Sequence, residues 1–363
     1  MVIETNTTNR LDSVQLMRFF AGLLVVLAHA ESRIARTFPQ VNDILQPLDP
    51  KLLPNWGDAV QVGVHIFFLI SGFIMLYSAS NQFAQTKAQK TFFVKRLIRI
   101  VPIYWILTTL SVFILAIRPD LFTYRQTLDV SWIVASYLFI PWTSVDLVDS
   151  PVIGLGWTLN FEMYFYVIFA VSMFMNRQNA LRFMALFFLL SVCVSLIYTP
   201  NLPLLIQVTN PILLEFLLGV FLAYYYLKGN STDRYISRFT GVLGFSILIP
   251  VIVFLRPETE LLRFLLWGPA SALILFSMLH VLREPMIKPL KVLVALGNAS
   301  YSIYLIQVFT LPAFSLVFKY IEPSVELGFI TMLVVSTSLT LLVGYIFFVL
   351  VERPITQTLR RFI

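Results

Sequence analysis

Residues 14–31 read VQLMRFFAGLLVVLAHAE, an apolar run that carries one arginine, Arg18, and one histidine, His29. A transmembrane helix needs about 20 mainly apolar residues to cross the hydrocarbon core of a bilayer. No small-residue cleavage site accompanies this run, so it predicts the first membrane helix rather than a cleaved signal peptide. The chain is therefore expected to begin with a membrane helix that carries Arg18 and His29.

The composition of the whole chain supports a membrane protein. Of its 363 residues, 58% are hydrophobic and 12% are charged, and the mean hydropathy is +0.82. A soluble domain carries about a quarter charged residues, so lipid must replace much of the water around this one. The net charge of +7 does not predict nucleic-acid binding, because no soluble basic domain is present to carry it. The single cysteine, Cys193, excludes an intrachain disulfide, and no metal is expected.

Ten segments are predicted to span the membrane: 14–31, 57–80, 97–117, 157–175, 181–198, 204–227, 240–255, 262–282, 297–318 and 326–350. The run 130–141 is too short to span and is expected to be re-entrant or interfacial. With the N-terminus in the cytoplasm, the inside segments carry 18 of the 26 Lys and Arg residues. This asymmetry favours two cytoplasmic termini. The predicted fold is an all-α polytopic bundle of about ten helices, a single domain over 1–363 without a soluble appendage.

Ionisable side chains inside a bilayer are costly and are candidates for function. His29, His65 and Glu162 are predicted to share one outer layer of the bundle, where a neutral histidine beside a carboxylate is a usual general-base arrangement. Each also has a structural explanation. His29 could be an interfacial histidine, His65 part of the close-packed stretch 57–72, and Glu162 a hydrogen-bonding partner of a neighbouring helix. The role of Glu215, toward the middle of its predicted span, is left open.

Three arginines are predicted at the inner side of the membrane. Arg96 and Arg99 are three residues apart, hence on one helical face, and Arg18 lies near the same level on the first span. Guanidinium groups bind phosphates in bidentate fashion, and coenzyme A carries three phosphates. Anchoring by the positive-inside rule is the alternative. From Arg18 to His29 is about 16 Å along a helix, comparable with an extended pantetheine arm.

Six blocks of sequence occur in order along nearly the whole chain: RFFAGLLVVLAH (Arg18–His29), GVHIFFLISGFIM (Gly63–Met75), KRLIRIVPIYW (Lys95–Trp105), GWTLNFEMYFY (Gly156–Tyr166), GNASYSIYLIQ (Gly297–Gln307) and VERP (Val351–Pro354). Together they resemble the membrane acyltransferase-3 family, specifically its stand-alone polysaccharide O-acetyltransferases of the succinoglycan-modifying type.

The resemblance implies a ten-helix enzyme of the bacterial inner membrane that uses acyl-CoA, often acetyl-CoA, from the cytoplasm. It implies that His29 is the catalytic base or a transient acyl carrier and that Arg18 is a donor-side residue. Arg96 and Arg99 correspond to the family's donor-binding pair, and Glu162 matches its membrane-embedded glutamate.

Two positions depart from the family pattern. Position 65 is commonly Asp and is His here, which leaves open whether His65 orients another catalytic group. Position 307 is often His and is Gln here, which argues against proton transfer at that position.

The predicted function is transfer of an acyl group from cytoplasmic acyl-CoA to a hydroxyl group, and acetyl is the expected acyl group. The acceptor is a cell-surface or exported polysaccharide or its lipid-linked oligosaccharide precursor. His29 would deprotonate the hydroxyl or first take the acyl group, with Glu162 and His65 assisting. The alternative is a proton-coupled secondary transporter that uses the same three side chains as a relay. The sequence shows no inverted repeat, which disfavours the transporter.

Overall fold

The structure, a computed structural model, describes residues 7–38, 56–118, 129–144, 150–198, 200–229, 233–255, 257–282, 288–321 and 325–363. These residues form helices and turns, and no strand occurs among them. The α-helices are α1 Thr7–Thr37, α2 Trp56–Ala79, α3 Ala88–Ile117, α4 Val130–Tyr137, α5 Trp157–Ser172, α6 Arg177–Ile197, α7 Pro203–Val208, α8 Leu213–Leu227, α9 Arg234–Phe254, α10 Glu260–Val281, α11 Lys288–Asn298, α12 Ser300–Ile321, α13 Val325–Phe347 and α14 Arg353–Arg360.

Nine helical stretches in the described part of the chain are long and apolar enough to cross a bilayer. They correspond to nine of the ten predicted spans. The remaining predicted span, 157–175, contains α5, whose 16 residues extend only about 24 Å, less than the roughly 30 Å of a bilayer core. The prediction of an all-α, multi-pass membrane protein is confirmed, whereas the orientation of its termini stays a prediction.

The short apolar run 130–141 forms α4, a helix of eight residues, as its length predicts. The side chain of Asp129 accepts a hydrogen bond from the backbone N–H of Trp132 and so caps the helix. The Trp132 indole donates to the backbone carbonyl of Ser150 at 2.9 Å. This tie holds α4 against the segment that leads into α5.

Two helices extend beyond the apolar runs from which they were predicted. Helix α1 continues to Thr37, so His29 lies about two turns before its end rather than at the end. Helix α3 begins at Ala88, so Arg96 lies about 12 Å inside the helix rather than at its entry. Polar residues lengthen both helices without adding an apolar signal, and the depth of His29 and Arg96 in the membrane stays a prediction.

The backbone contacts group the chain into two compact units, each made of two chain segments: 1–74 with 218–346, and 75–217 with 347–363. In the first unit, α1 packs on α10, α11 and α12, and α9 packs along α10. In the second, α3 packs on α4, α5 and α14, and α5 packs on α6. The single domain over 1–363 stays a prediction.

Within the first unit, α8 crosses α2 with the two backbones in contact. A Cβ atom built on Gly219 would lie 1.9 Å from the Leu69 carbonyl oxygen and 2.8 Å from the Phe73 nitrogen. Neither obstacle is a side chain that could rotate away. A glycine is therefore required where these helices cross.

We expect Gly219→Ala to destabilise the protein by about 1–3 kcal/mol, the cost of overpacking a tight interface. Gly22→Ala is the matched control, because a Cβ there would meet the Phe67 ring at an ordinary 3.7 Å. Thermal unfolding of detergent-purified protein measures the difference. Equal unfolding temperatures for the two variants would show that the close crossing is not needed.

Candidate active site

The six side chains predicted for the site divide equally between the two units. Arg18, His29 and His65 belong to the first unit, and Arg96, Arg99 and Glu162 belong to the second.

His29 is a partly exposed residue whose Nδ1 atom is buried. That nitrogen makes no hydrogen bond to any residue the structure describes. Two hydrogen-bonding groups act on the ring: the backbone carbonyl of Val25, one turn earlier on α1, and the side chain of Gln307 on α12. Because Nδ1 is buried, the exposed surface of the residue belongs to its other atoms. The Nδ1 side of the imidazole therefore faces protein.

Gln307 was not among the predicted site residues, yet it contacts His29. Only 2% of its surface is exposed, and its amide nitrogen donates to the backbone carbonyl of Tyr304 at 2.8 Å. Its amide oxygen is buried and has no hydrogen-bond partner among the described residues. The available sequence signal was its position at the end of the block Gly297–Gln307, about two turns into α12.

His65 is fully buried on α2. Its ring packs edge-to-face on the Trp267 indole, with centroids 4.9 Å apart. It also interacts electrostatically with Arg263. The Arg263 guanidinium in turn lies 6.0 Å from the Trp267 ring centroid. These contacts favour the packing explanation for His65, and its catalytic role stays a prediction.

Arg18 is 7% exposed and lies on α1, where it precedes His29 by 11 residues. Its Nη1 donates to the Gln15 side-chain oxygen at 3.1 Å, one turn earlier. The Gln15 backbone carbonyl abuts α11, where a Cβ on Gly297 would lie only 1.9 Å from it. The block Gly297–Gln307 therefore begins beside the residue that accepts the Arg18 hydrogen bond.

Arg96 occupies a defined position in the second unit. Its Nη2 donates to the Ser78 hydroxyl at 2.9 Å. Its guanidinium carbon lies 5.3 Å from the Phe92 ring centroid and 5.9 Å from that of Tyr166, both within cation–π range. A hydroxyl and two rings thus fix a guanidinium that would otherwise have many rotamers.

Glu162 belongs to the same cluster as Arg96. Tyr166 lies one turn after Glu162 on α5 and donates its phenolic hydrogen to the carboxylate. Arg96 interacts electrostatically with Tyr166, Arg99, Glu162 and Arg360. The expected grouping of Glu162 with His29 and His65 in one outer layer stays a prediction.

Ser78, Tyr166 and Arg360 complete the Arg96 environment and were not predicted. Tyr166 had a sequence signal, its spacing of four from Glu162. Arg360 had a weaker one, since it ends the short basic helix α14, which packs on α3. Ser78 had none, because only the packing of the chain brings it to Arg96.

The Arg96 cluster combines three guanidinium groups, those of Arg96, Arg99 and Arg360, with the carboxylate of Glu162. Positive charge is in excess, and Arg99 and Arg360 are at least partly exposed. Guanidinium groups gathered in this way repel one another unless an anion binds between them, and their geometry suits phosphate. Among the residues described, no three His, Cys, Asp or Glu side chains gather so as to hold a metal ion.

Comparisons with known proteins agree with these features. The profile of a family described as an acyltransferase domain matches residues 11–349. The chain is 32% identical over 298 residues to exopolysaccharide production protein ExoZ of Rhizobium meliloti (strain 1021), a match that covers 81% of this chain and 89% of that protein. No solved structure matches the chain.

Proposed function

Since this chain belongs to the membrane acyltransferase-3 family and is an acyltransferase, we propose that it transfers an acetyl group from cytoplasmic acetyl-CoA to a hydroxyl of an exported polysaccharide. The observation that carries the donor assignment is the excess of guanidinium charge around Arg96. Acyl-CoA is the common acyl donor that brings several phosphates, and phosphate is the ligand this cluster suits.

The acceptor proposal draws support from the relative, whose name assigns it to exopolysaccharide production. A polysaccharide or its lipid-linked oligosaccharide precursor presents many hydroxyl groups and no strong leaving group of its own. Such an acceptor needs a base to make a hydroxyl nucleophilic and a donor that is already activated. A thioester provides the activation, and the imidazole of His29 provides the base.

The proposed reaction is a direct acyl transfer. His29 removes the proton from the acceptor hydroxyl while the oxygen attacks the thioester carbonyl carbon. A carbon–oxygen bond forms, the carbon–sulfur bond breaks, and the thiolate of coenzyme A takes the proton from the imidazolium. Arg18, on the same helix about 16 Å from His29, would contact the donor at the other end of its pantetheine arm.

We place the enzyme in the bacterial inner membrane with both termini in the cytoplasm. The proposal follows from the Lys and Arg distribution and from the need for a cytoplasmic acyl-CoA pool. The N-terminal part of α3, which carries Arg96 and Arg99, and the C-terminal end of α14, which carries Arg360, then lie on the side of the membrane that supplies the donor.

The experiment that tests the proposal compares cells with and without this protein. Mass spectrometry of their surface glycans should show acetyl esters only when the protein is present. Proteoliposomes that contain the purified protein should transfer label from radioactive acetyl-CoA to glycan isolated from the cells that lack it. Proton-coupled solute uptake without any acyl donor, together with unmodified glycan, would support the transporter instead.

The contacts of Glu162 favour a donor-side role over the catalytic role expected from sequence. We expect Glu162→Gln to raise the KM for acetyl-CoA about tenfold and to change kcat less than twofold, because the carboxylate orients Arg96. Tyr166→Phe is the matched control, since it keeps the ring beside Arg96 and removes only the hydrogen bond to Glu162. Initial rates in proteoliposomes give both constants. A large fall in kcat with unchanged KM would return Glu162 to the catalytic step.

A further inference from the structure

We infer that Gln307 is the positioning residue of His29: its amide oxygen accepts the Nδ1–H of the imidazole and thereby leaves Nε2 as the nitrogen that takes the acceptor's proton. The inference rests on the proposed function of His29 as a base. It assigns a task to a side chain that the family pattern does not predict here, because position 307 is often histidine in similar sequences.

Helix packing brings the two side chains to one level. Helices α1 and α12 are in contact, and a Cβ on Gly22 would lie 3.9 Å from the Cβ of Ser300. His29 and Gln307 each follow these positions by seven residues, which is about two helical turns. The pairs Gly22–Ser300 and His29–Gln307 follow each other in the same direction along both chains, so α1 and α12 run parallel here, and two turns return each chain to the same face of its helix.

The orientation of the Gln307 amide is fixed by its own hydrogen bond. The amide nitrogen is engaged by the Tyr304 carbonyl at 2.8 Å. The amide oxygen is left as the free end, and it is buried without a partner among the described residues. Since this end can only accept, the group that satisfies it must be a donor.

His29 has the matching requirement. Its Nδ1 is also buried and also without a hydrogen bond to the described residues, and the Gln307 side chain acts on its ring. A neutral imidazole carries one proton, and the nitrogen that faces an acceptor keeps it. The Val25 carbonyl, the other group next to the ring, is an acceptor as well. We therefore pair the Gln307 oxygen with Nδ1, since both atoms are buried and lack another described partner, and this contact selects the tautomer with the proton on Nδ1.

The consequence for the reaction concerns Nε2. In the selected tautomer this nitrogen has a lone pair directed away from the buried side of the ring, where a hydroxyl can reach it. In the other tautomer Nε2 carries the proton and cannot act as a base. Gln307 therefore raises the fraction of His29 that is competent for the first proton transfer, without touching donor or acceptor.

The test compares two substitutions at position 307. Gln307→Met keeps the length of the side chain and removes the acceptor, whereas Gln307→Glu keeps an acceptor oxygen and adds a buried charge. We expect Gln307→Met to lower kcat about 10- to 100-fold, part of the 10²–10⁴ that general-base catalysis contributes, with the acetyl-CoA KM within twofold of wild type. Gln307→Glu is expected to keep more activity than Gln307→Met.

Thr310→Val is the matched control for buried polarity on α12. The Thr310 hydroxyl pairs with that of Thr340 at 3.0 Å, and Thr310 lies one turn after Gln307 on α12. We expect wild-type activity from it in the same proteoliposome assay with radioactive acetyl-CoA. If Gln307→Met is as active as Thr310→Val, or if Gln307→Glu is the weaker of the two, Gln307 only packs and the inference is wrong. Activity retained by His29→Ala would instead overturn the proposed function.

A spectroscopic readout separates tautomer control from packing. The chain contains three histidines, His29, His65 and His280, so ¹⁵N-histidine labelling gives a spectrum with few signals. The signals that disappear in His29→Ala identify the site. We expect wild type to show a protonated Nδ1 and an unprotonated Nε2, and Gln307→Met to show a mixture. A wild-type ring protonated on Nε2, or an unchanged spectrum in Gln307→Met, contradicts the inference.

Discussion

Replacement of His29 by alanine is expected to abolish acetate incorporation into the surface polysaccharide while the protein still accumulates in the membrane. General-base catalysis contributes about 10²–10⁴ to a rate, and the hydroxyl of a sugar is too weak a nucleophile to react without it. His29 is a partly exposed residue whose imidazole can act as this base in its neutral form. Quantified acetyl esters in isolated glycan, normalised to the amount of protein in the membrane, measure the effect.

His280→Ala is the matched control for this variant. His280 is 7% exposed, packs on the rings of Phe276 and Tyr226, and its Nδ1 lies 2.9 Å from the Phe276 carbonyl. Its loss should cost stability and leave the reaction intact. Incorporation by His29→Ala within twofold of the His280→Ala level would reject His29 as the base.

The same pair of variants separates direct transfer from a covalent intermediate. Purified protein is incubated with radioactive acetyl-CoA and no acceptor. We expect no label on the protein, because the proposed reaction passes the acyl group directly to the hydroxyl. Label that is retained by wild type and His280→Ala, and lost from His29→Ala, would show that His29 first takes the acyl group itself.

The second large effect is expected at the donor site. We expect the double variant Arg96→Gln, Arg99→Gln to weaken coenzyme A binding at least 100-fold, because each charged hydrogen bond to phosphate contributes about 1.5–3 kcal/mol. Arg96 contributes most, since Ser78 and the rings of Phe92 and Tyr166 already hold its guanidinium in one place. Equilibrium binding of coenzyme A to detergent-purified protein measures the loss.

Arg361→Gln provides the control for positive charge in general. Arg361 is exposed at the end of α14, next to Arg360, and it is not among the charges that act on Arg96. It should bind coenzyme A as wild type does. S-acetylpantetheine lacks phosphates, so its turnover should be equally slow in wild type, in the double variant and in Arg361→Gln. Unchanged coenzyme A affinity in the double variant would remove the donor site from this cluster.

A single conservative substitution distinguishes geometry from charge at Arg96. Arg96→Lys keeps the charge and loses the planar pair of donors that binds phosphate in bidentate fashion. Its affinity should fall between wild type and Arg96→Gln. Affinity equal to that of Arg96→Gln would show that the bidentate contact, rather than the charge, holds the donor.

The sequence alone determined that this protein crosses the membrane many times and that it is entirely helical where the structure describes it. The reason is local: backbone groups in lipid must bond within their own segment, so an apolar run of sufficient length can only become a helix. The run 14–31 and its eight long counterparts needed no tertiary information. The short run 130–141 forms no spanning helix, as its length predicts, and its re-entrant or interfacial placement stays a prediction.

Only the tertiary structure decided which polar side chains meet. Polar residues extend α1 and α3 beyond their apolar runs, so α1 continues about two turns after His29 and α3 begins about two turns before Arg96. Contacts such as Arg96 with Ser78, or Gln307 with His29, join residues far apart in the chain. Helix packing sets these pairs through side-chain fit between neighbouring surfaces, as at Gly22 beside Ser300. No periodicity within one helix encodes the register between two, and this is why the partners of the site emerged only from the fold.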